Sequence, residues 1–301
     1  TNVIWAERFT CPVDEIMQLR STLAAEIAGA LEPRIQQSEA ILAAKLPTEQ
    51  LDAWSAYHRG LWHMYRFNAH DNRLAAELFA HAATVDQKFA RAFAGLSFTY
   101  FQSAFLGFSG DIESDKRLTR VHALRSMELD ALDPFSNLTM GRAEWLFGNL
   151  EGGLAWMERS IALSPNYAFA IYNSALVGTL LGEGESNEIR IGKAISLSPI
   201  DPLNYAMLAT RALTHVIRGN YHTAMEWADR AVRSPNAHVQ IYTIAAFTNE
   251  LTGNRLKADE YITHIRHTYP SYGKQDFLDA FPFRDDKIRR QVEKSLHRLG
   301  L

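Results

Sequence analysis

The stretch SIALSP at 160–165 returns as AISLSP at 194–199, and the two closing prolines, Pro165 and Pro199, stand 34 residues apart. A fixed offset of that size is the sequence mark of a repeat array, so the rest of the chain is read against it first. The segments GNYHTAMEWADRAV, from Gly219, and GNRLKADEYITHI, from Gly253, keep the same offset. Ala224, Ala228 and Ala231 in the first answer to Ala258, Ile262 and Ile265 in the second, which Pro270 closes. Further upstream, LAAELFAHAATVDQKFA repeats the pattern with Ala75, Phe79 and Ala82, and carries Gln87 where a proline is expected.

Each unit holds two apolar stripes at helical spacing, interrupted near its middle by Gly, Asn or Asp and at its end by Pro. Glycine lets the chain leave the first helix through a left-handed residue. Proline cannot continue the second helix but is accepted in the first turn of the next. Small residues let paired helices approach closely. One such pair cannot bury its own apolar face, whereas stacked pairs can.

This pattern resembles the tetratricopeptide repeat (TPR), whose period is also 34. The expected fold is all-α: a right-handed α-solenoid of about six TPR-like helix pairs with helical flanks and a short N-terminal extended segment. The units fall near 53–89, 90–133, 134–167, 168–201, 205–238 and 239–272, with three residues inserted around IDP at 200–202. The first two are looser, with extra residues in RFNAHDNR and SAFLGFSGDIESDKR. The family's small residue at its eighth position is matched by Gly60, Gly141, Ala175, Ala212 and Ala246, but is Ser97 in the second unit. Three regions follow: 1–47 as an extended segment with helices, 48–272 as the repeat array, and 273–301 as a C-terminal capping helix.

In the first region, NVIWAERF places Val3, Trp5, Glu7 and Phe9 on one face at period two and reads as a strand without a partner in this chain. An unpaired edge is a liability, so its sheet is expected upstream. Residues 14–45 read as helix, with Ile16, Leu19, Leu23, Ile27 and Leu31 in one stripe and Pro33 as a kink or restart. In the third region, Ile288, Val292, Leu296 and Leu299 form an apolar face that Asp285 or Asp286 can cap and Gly300 ends.

The 301 residues are 47% apolar and 22% charged, a soluble globular balance, and their formal charge of −3 gives no reason to expect nucleic-acid binding by this region. No apolar run approaches the roughly 20 residues that span a bilayer, and TNVIWAERFT is not a signal peptide. The single cysteine, Cys11, excludes an internal disulfide, and a reducing cytoplasm fits it. No phosphate-binding glycine loop or HExxH motif occurs, and GEGES at 182–186 falls at a turn inside a repeat. His264 and His267 could share a metal but lack a third ligand, while His58, His63, His70 and His81 spread over several faces. No catalytic constellation is found, so no enzyme activity, metal or cofactor is expected.

In the TPR family the first helix of each pair lines a concave groove. Carrying the groove positions over by resemblance selects Trp54, Tyr57 and Tyr65 in the first unit and Phe98 and Phe101 in the second. It selects Phe135, Arg142 and Trp145 in the third, Phe169 and Tyr172 in the fourth, and Phe247 in the sixth. An aromatic groove this poor in charge calls for a filler: a partner's apolar peptide, a segment of the same chain, or a second copy. If the register is off by one, the same side chains are inter-helix core. YFQSAFLGF at 100–108 adds four aromatics beside Gly107 and Gly110, either as a functional loop or as a wide loop packed on its own repeat.

WAERF, LEPRI, the repeats and the closing FLDAFPFRDD and LHRLGL together resemble a bacterial architecture in which a TolB-like domain precedes tetratricopeptide repeats. That pair occurs in winged-helix transcriptional activators and in class III adenylate cyclases. The resemblance implies a non-catalytic regulatory scaffold in a transcriptional regulator that takes a protein or peptide partner. The regulatory arm of a cyclase, or a homodimerising module, is the alternative.

Overall fold

The computed structural model describes residue 35, residues 38–43 and residues 46–301. The expected strand, Cys11 and the Pro33 kink lie outside these residues. Of the 14–45 helix, residue 35 and residues 38–43 are described, and they are helical.

A short 3-10 turn at Thr48–Gln50 precedes fourteen α-helices among the described residues. Twelve form six consecutive antiparallel pairs. They are α1 (Ala53–Met64) with α2 (Ala69–Val85), α3 (Ala90–Leu106) with α4 (Ile112–Leu129), and α5 (Pro134–Leu146) with α6 (Leu150–Leu163). Then follow α7 (Ala168–Leu180) with α8 (Glu185–Leu197), α9 (Asn204–Ile217) with α10 (Tyr221–Val232), and α11 (Val239–Leu251) with α12 (Arg255–Thr268). A short α13 (Lys274–Ala280) and an amphipathic α14 (Asp286–Arg298) close the chain. The fold is an all-α solenoid of tetratricopeptide type.

Local chemistry explains where the helices begin and turn. Asp52, Asn68, Asp111, Asp133 and Asn149 each accept a backbone N–H three residues ahead, which satisfies a donor the helix start leaves open. Pro134 stands at the start of α5, where its missing N–H costs nothing. In the third to sixth pairs the turn between the two helices passes through Gly148, Gly182, Gly219 and Gly253, with φ of 77°, 96°, 75° and 80°. GEGES is therefore turn chemistry. In the first pair the corresponding turn uses Phe67 at φ 49°, a strained choice for a side-chain-bearing residue.

Packing within pairs depends on small residues. A Cβ on either Gly60 or Gly95 would lie 2.7 Å from the Phe79 ring, so Phe79 of α2 sits in a slot between α1 and α3. Gly141 and Gly153 let α5 and α6 touch backbone to backbone: a Cβ on Gly141 would meet the Gly153 oxygen at 2.8 Å. Ala175, Ala212 and Ala246 are fully buried at the equivalent position of later first helices. Fully burying a ring such as Phe79 is worth about 3 kcal/mol.

The C-terminal helix lies on the last pair. Ile288, Val292, Leu296 and Leu299 are buried, Asp285 accepts from Lys287 N at 2.7 Å, and Gly300 ends the helix at φ 76°. Arg255 donates to the Arg298 carbonyl at 3.0 Å and Arg266 to the Gly300 carbonyl at 2.9 Å, so α12 holds the end of α14.

Candidate functional site

The first helix of each pair carries most of the residues that meet across the array, many of them aromatic. The structure also shows what fills the expected groove: the chain itself. Phe67, from the α1–α2 turn, stacks on His238 with ring centroids 5.4 Å apart and meets Tyr205 edge-on at 6.1 Å. Phe105, in the last turn of α3, packs edge-on against His238, Trp145 and Phe281. The Gln240 side-chain amide donates to the Phe105 carbonyl at 3.3 Å across 135 residues of sequence. Past α13, the Arg284 N–H donates to the Leu180 carbonyl at 2.8 Å, and its guanidinium pairs with Glu151 at 2.5 Å. The first two pairs thus touch the start of the fifth and sixth, and the C-terminal segment crosses between them.

Seven of the residues carried over as groove positions meet in one cluster. Phe98 lies 6.2 Å from Phe101, 6.2 Å from Phe135 and 5.5 Å from Phe169. Phe101 continues to Trp145 at 5.5 Å, and Phe169 stacks on Tyr172 at 6.3 Å. Arg142 sits inside this cluster, and half-buried Tyr65 reaches its edge at Phe169. The other three are elsewhere. Trp54 is 46% exposed on the first helix, against His58. Tyr57 fills the junction of Phe79 and Phe89, and Phe247 is buried under Phe277 of α13. Apart from Trp54 and Tyr65, the eleven are buried.

Arg142 is the unusual group. It is 3% exposed, its Nε donates to Asn173 Oδ1 at 2.8 Å, and its guanidinium carbon lies 4.3 Å and 4.5 Å from the ring centres of Phe98 and Phe101. A third ring, Phe169, is at 5.3 Å. Among the described residues no carboxylate pairs with it, and its Nη1 has no hydrogen-bond partner. Burial pushes the guanidinium down to about 10, against the nearby tyrosines, so it stays charged at neutral pH. Nearby, burial drives His238 down to about 3 and raises Tyr205 well above its ordinary value. His238 Nδ1 and the Tyr205 hydroxyl also lack partners among the described residues.

Two of the spaces around this cluster adjoin Trp145. An inner chamber of about 30 Å³ is lined by Arg142, Tyr172, Thr210 and His238 and by rings that include Phe101 and Trp145. An outer cleft of about 890 Å³ opens beside it, between the end of α3 and the α12–α13 connection. Its wall carries Phe108, Trp145, Tyr269 and Tyr272, and its rim Glu113, Lys116, Asp276 and Arg289. Tyr272 donates to Gln240 Oε1 at 2.6 Å, which fixes the amide that holds Phe105.

Sequence reasoning did not select Phe67, Phe105, Tyr205, His238 or Phe281 as groove positions. A signal existed for three: Phe67 and Phe105 stand in the two stretches where the repeat is interrupted, and Phe281 in the aromatic closing segment. YFQSAFLGF is not a loop over most of its length, because α3 runs through it to Leu106. The histidines take structural partners: His63 with Asp71 at 2.6 Å, His81 with the Leu51 carbonyl at 3.0 Å, and His264 stacked on Tyr242 at 4.0 Å. Among the described residues no group of three or more His, Cys, Asp or Glu could hold a metal, and no helix is long and apolar enough to cross a membrane.

No protein-family description matches the chain, and neither does any curated protein. Solved structures do. The chain is similar to one in the hetero-tetramer Cut9–Hcn1 of the APC/C, with a TM-score of 0.58 at 13% identity. That match covers 87% of this chain but only 46% of the other. It is also similar to PilF of Pseudomonas aeruginosa (TM-score 0.48, 14% identity, 75% of this chain and 95% of that one). A tetratricopeptide repeat protein from Parabacteroides merdae matches at TM-score 0.45 and 13% identity, covering 80% of this chain and 99% of that one. At these identities the likeness is one of fold.

Proposed function

We propose that the chain is a non-catalytic interaction scaffold that receives a protein or peptide partner at the outer cleft. The observation that carries this reading is the cleft itself: a concave space of about 890 Å³ with aromatic walls and a rim of both charges. Aromatic anchors in such a preformed surface supply most of the affinity of a peptide interface. Of the groove residues, Trp145 lines the cleft and Phe101 packs on it, while Phe98, Phe135, Phe169 and Tyr172 continue the buried cluster from Phe101. The biological setting is the C-terminal repeat region of a bacterial transcriptional regulator in the cytoplasm. WAERF, LEPRI and the closing FLDAFPFRDD and LHRLGL support that setting. The same resemblance covers class III adenylate cyclases, which keeps a cyclase's regulatory arm as the alternative.

A photo-reactive amino acid in place of Phe108, in the producing cell, tests the partner. The expected result is one cross-linked polypeptide, lost when the rim changes sign by Lys116→Glu with Arg289→Glu. Cross-links to a second copy alone would make this a self-association surface, and no specific cross-link would remove the cleft from the argument. The coding region upstream of Thr1 tests the setting: a winged-helix segment fits the regulator, and a cyclase core fits the alternative.

A further inference from the structure

We infer that the inner chamber is a binding site for a small organic monocarboxylate, with Arg142 holding the carboxylate and the shared aromatic walls holding its apolar body. A charge taken out of water is costly unless it is paired and fully hydrogen-bonded. Arg142 has no carboxylate partner among the described residues; its Nε is bonded to Asn173, and its Nη1 is buried without a hydrogen-bond partner. The faces of Phe98, Phe101 and Phe169 offset part of the cost, as ring faces do for cations, but they cannot accept a directed N–H bond. An anion would supply both the charge and the acceptor.

The chamber selects the class of anion. At about 30 Å³ it holds roughly two waters, which is the size of a carboxylate head and too small for a peptide backbone. One guanidinium balances one negative charge. A phosphate dianion would leave an uncompensated charge in the same apolar space. Tyr172 and Thr210 also line it, but their hydroxyls are bonded to each other and Thr210 donates to the Ala206 carbonyl at 2.9 Å, so Arg142 is left to hold the anion. Phe67, Phe105, Trp145 and His238 line both the chamber and the outer cleft, so the two spaces share a wall. The chamber is too small for the body of such a ligand, so with its head on Arg142 the body must extend past these four side chains into the cleft. This site does not depend on a protein partner at the cleft.

The test is calorimetric titration of the purified full chain with benzoate and hexanoate, beside benzamide as the neutral match for benzoate, with Tm recorded for each. The expected result is that a carboxylate binds and raises Tm, while benzamide binds at least about tenfold more weakly, as for a lost charge-assisted hydrogen bond. Arg142→Gln is expected to abolish the difference between benzoate and benzamide. If that variant does not fold, the benzoate–benzamide comparison on the unaltered chain still decides. Equal binding of the two, or no binding of either carboxylate at millimolar concentration, would overturn the inference.

Discussion

The indole Nε1 of Trp145 donates to the carbonyl of Ala280 at 3.1 Å, joining the third helix pair to the last residue of α13 across 135 residues of sequence. The same indole packs on Phe101, Phe105 and Phe281. The contact makes the C-terminal segment part of the lumen wall as well as an end cover. Trp145→Phe keeps most of the ring area but removes the donor. Its expected cost is about 1–2 kcal/mol by urea unfolding. Amide exchange should quicken over α13 and leave α1–α2 unchanged.

Glycine substitutions should split by environment. Gly141→Ala would push a methyl against the Gly153 carbonyl and Met157, and should destabilise by about 1–3 kcal/mol. Gly192 lies inside α8 with nothing near the position of its missing Cβ. Gly192→Ala should stabilise by about 0.5–1 kcal/mol through helix propensity and unfolded-state entropy. Thermal unfolding of the two variants side by side checks both signs.

These glycines also mark what was legible in the sequence. The turns at Gly148, Gly182, Gly219 and Gly253 and the small residues at 60, 141, 175, 212 and 246 are local requirements of a helix pair, and each leaves a local trace. Closure of the array leaves none. It depends on small rotations accumulated from pair to pair, so the meeting of Phe67 with His238 cannot be read from either neighbourhood. Most of the aromatics assigned to an open groove are buried in the structure. What the repeat pattern could not show is that Phe67, Phe105 and Phe281 fill the space in front of them. Arg142 was carried over as a groove position, yet its want of a carboxylate partner among the described residues is a property of the assembled array.

Stability should fall with acid through buried histidines. Burial, then the charge of Arg91, pushes His58 down to about 4, and burial pushes His238 down to about 3, from an ordinary value of 6.5. Both values are depressed in the folded chain, so the unfolded chain takes up protons first as pH falls. The contribution is fully present above pH 6.5 and is lost as pH falls through the window from 6.5 toward 4 and 3. Between pH 7.5 and 5 each group should cost on the order of 2 kcal/mol. Urea midpoints at the two pH values measure the drop, and His238→Gln should reduce it.

Phe67 combines a strained backbone, at φ 49°, with a ring wedged among Phe98, Tyr205 and His238. Phe67→Gly relieves the first and removes the second. Loss of a buried ring typically costs about 3–5 kcal/mol, against roughly 1 kcal/mol of relieved strain. Net destabilisation is expected by urea unfolding, and a stabilised variant would show that the ring contributes little to the lumen.

The central claim is that the array closes on itself, with its first turn against its fifth and sixth pairs. A double-mutant cycle on Phe67→Ala and His238→Ala measures that contact directly. The account predicts a coupling of about 0.5–1.5 kcal/mol, the value of a stacked buried ring pair. Strict additivity of the two substitutions would contradict closure and return the molecule to an open solenoid.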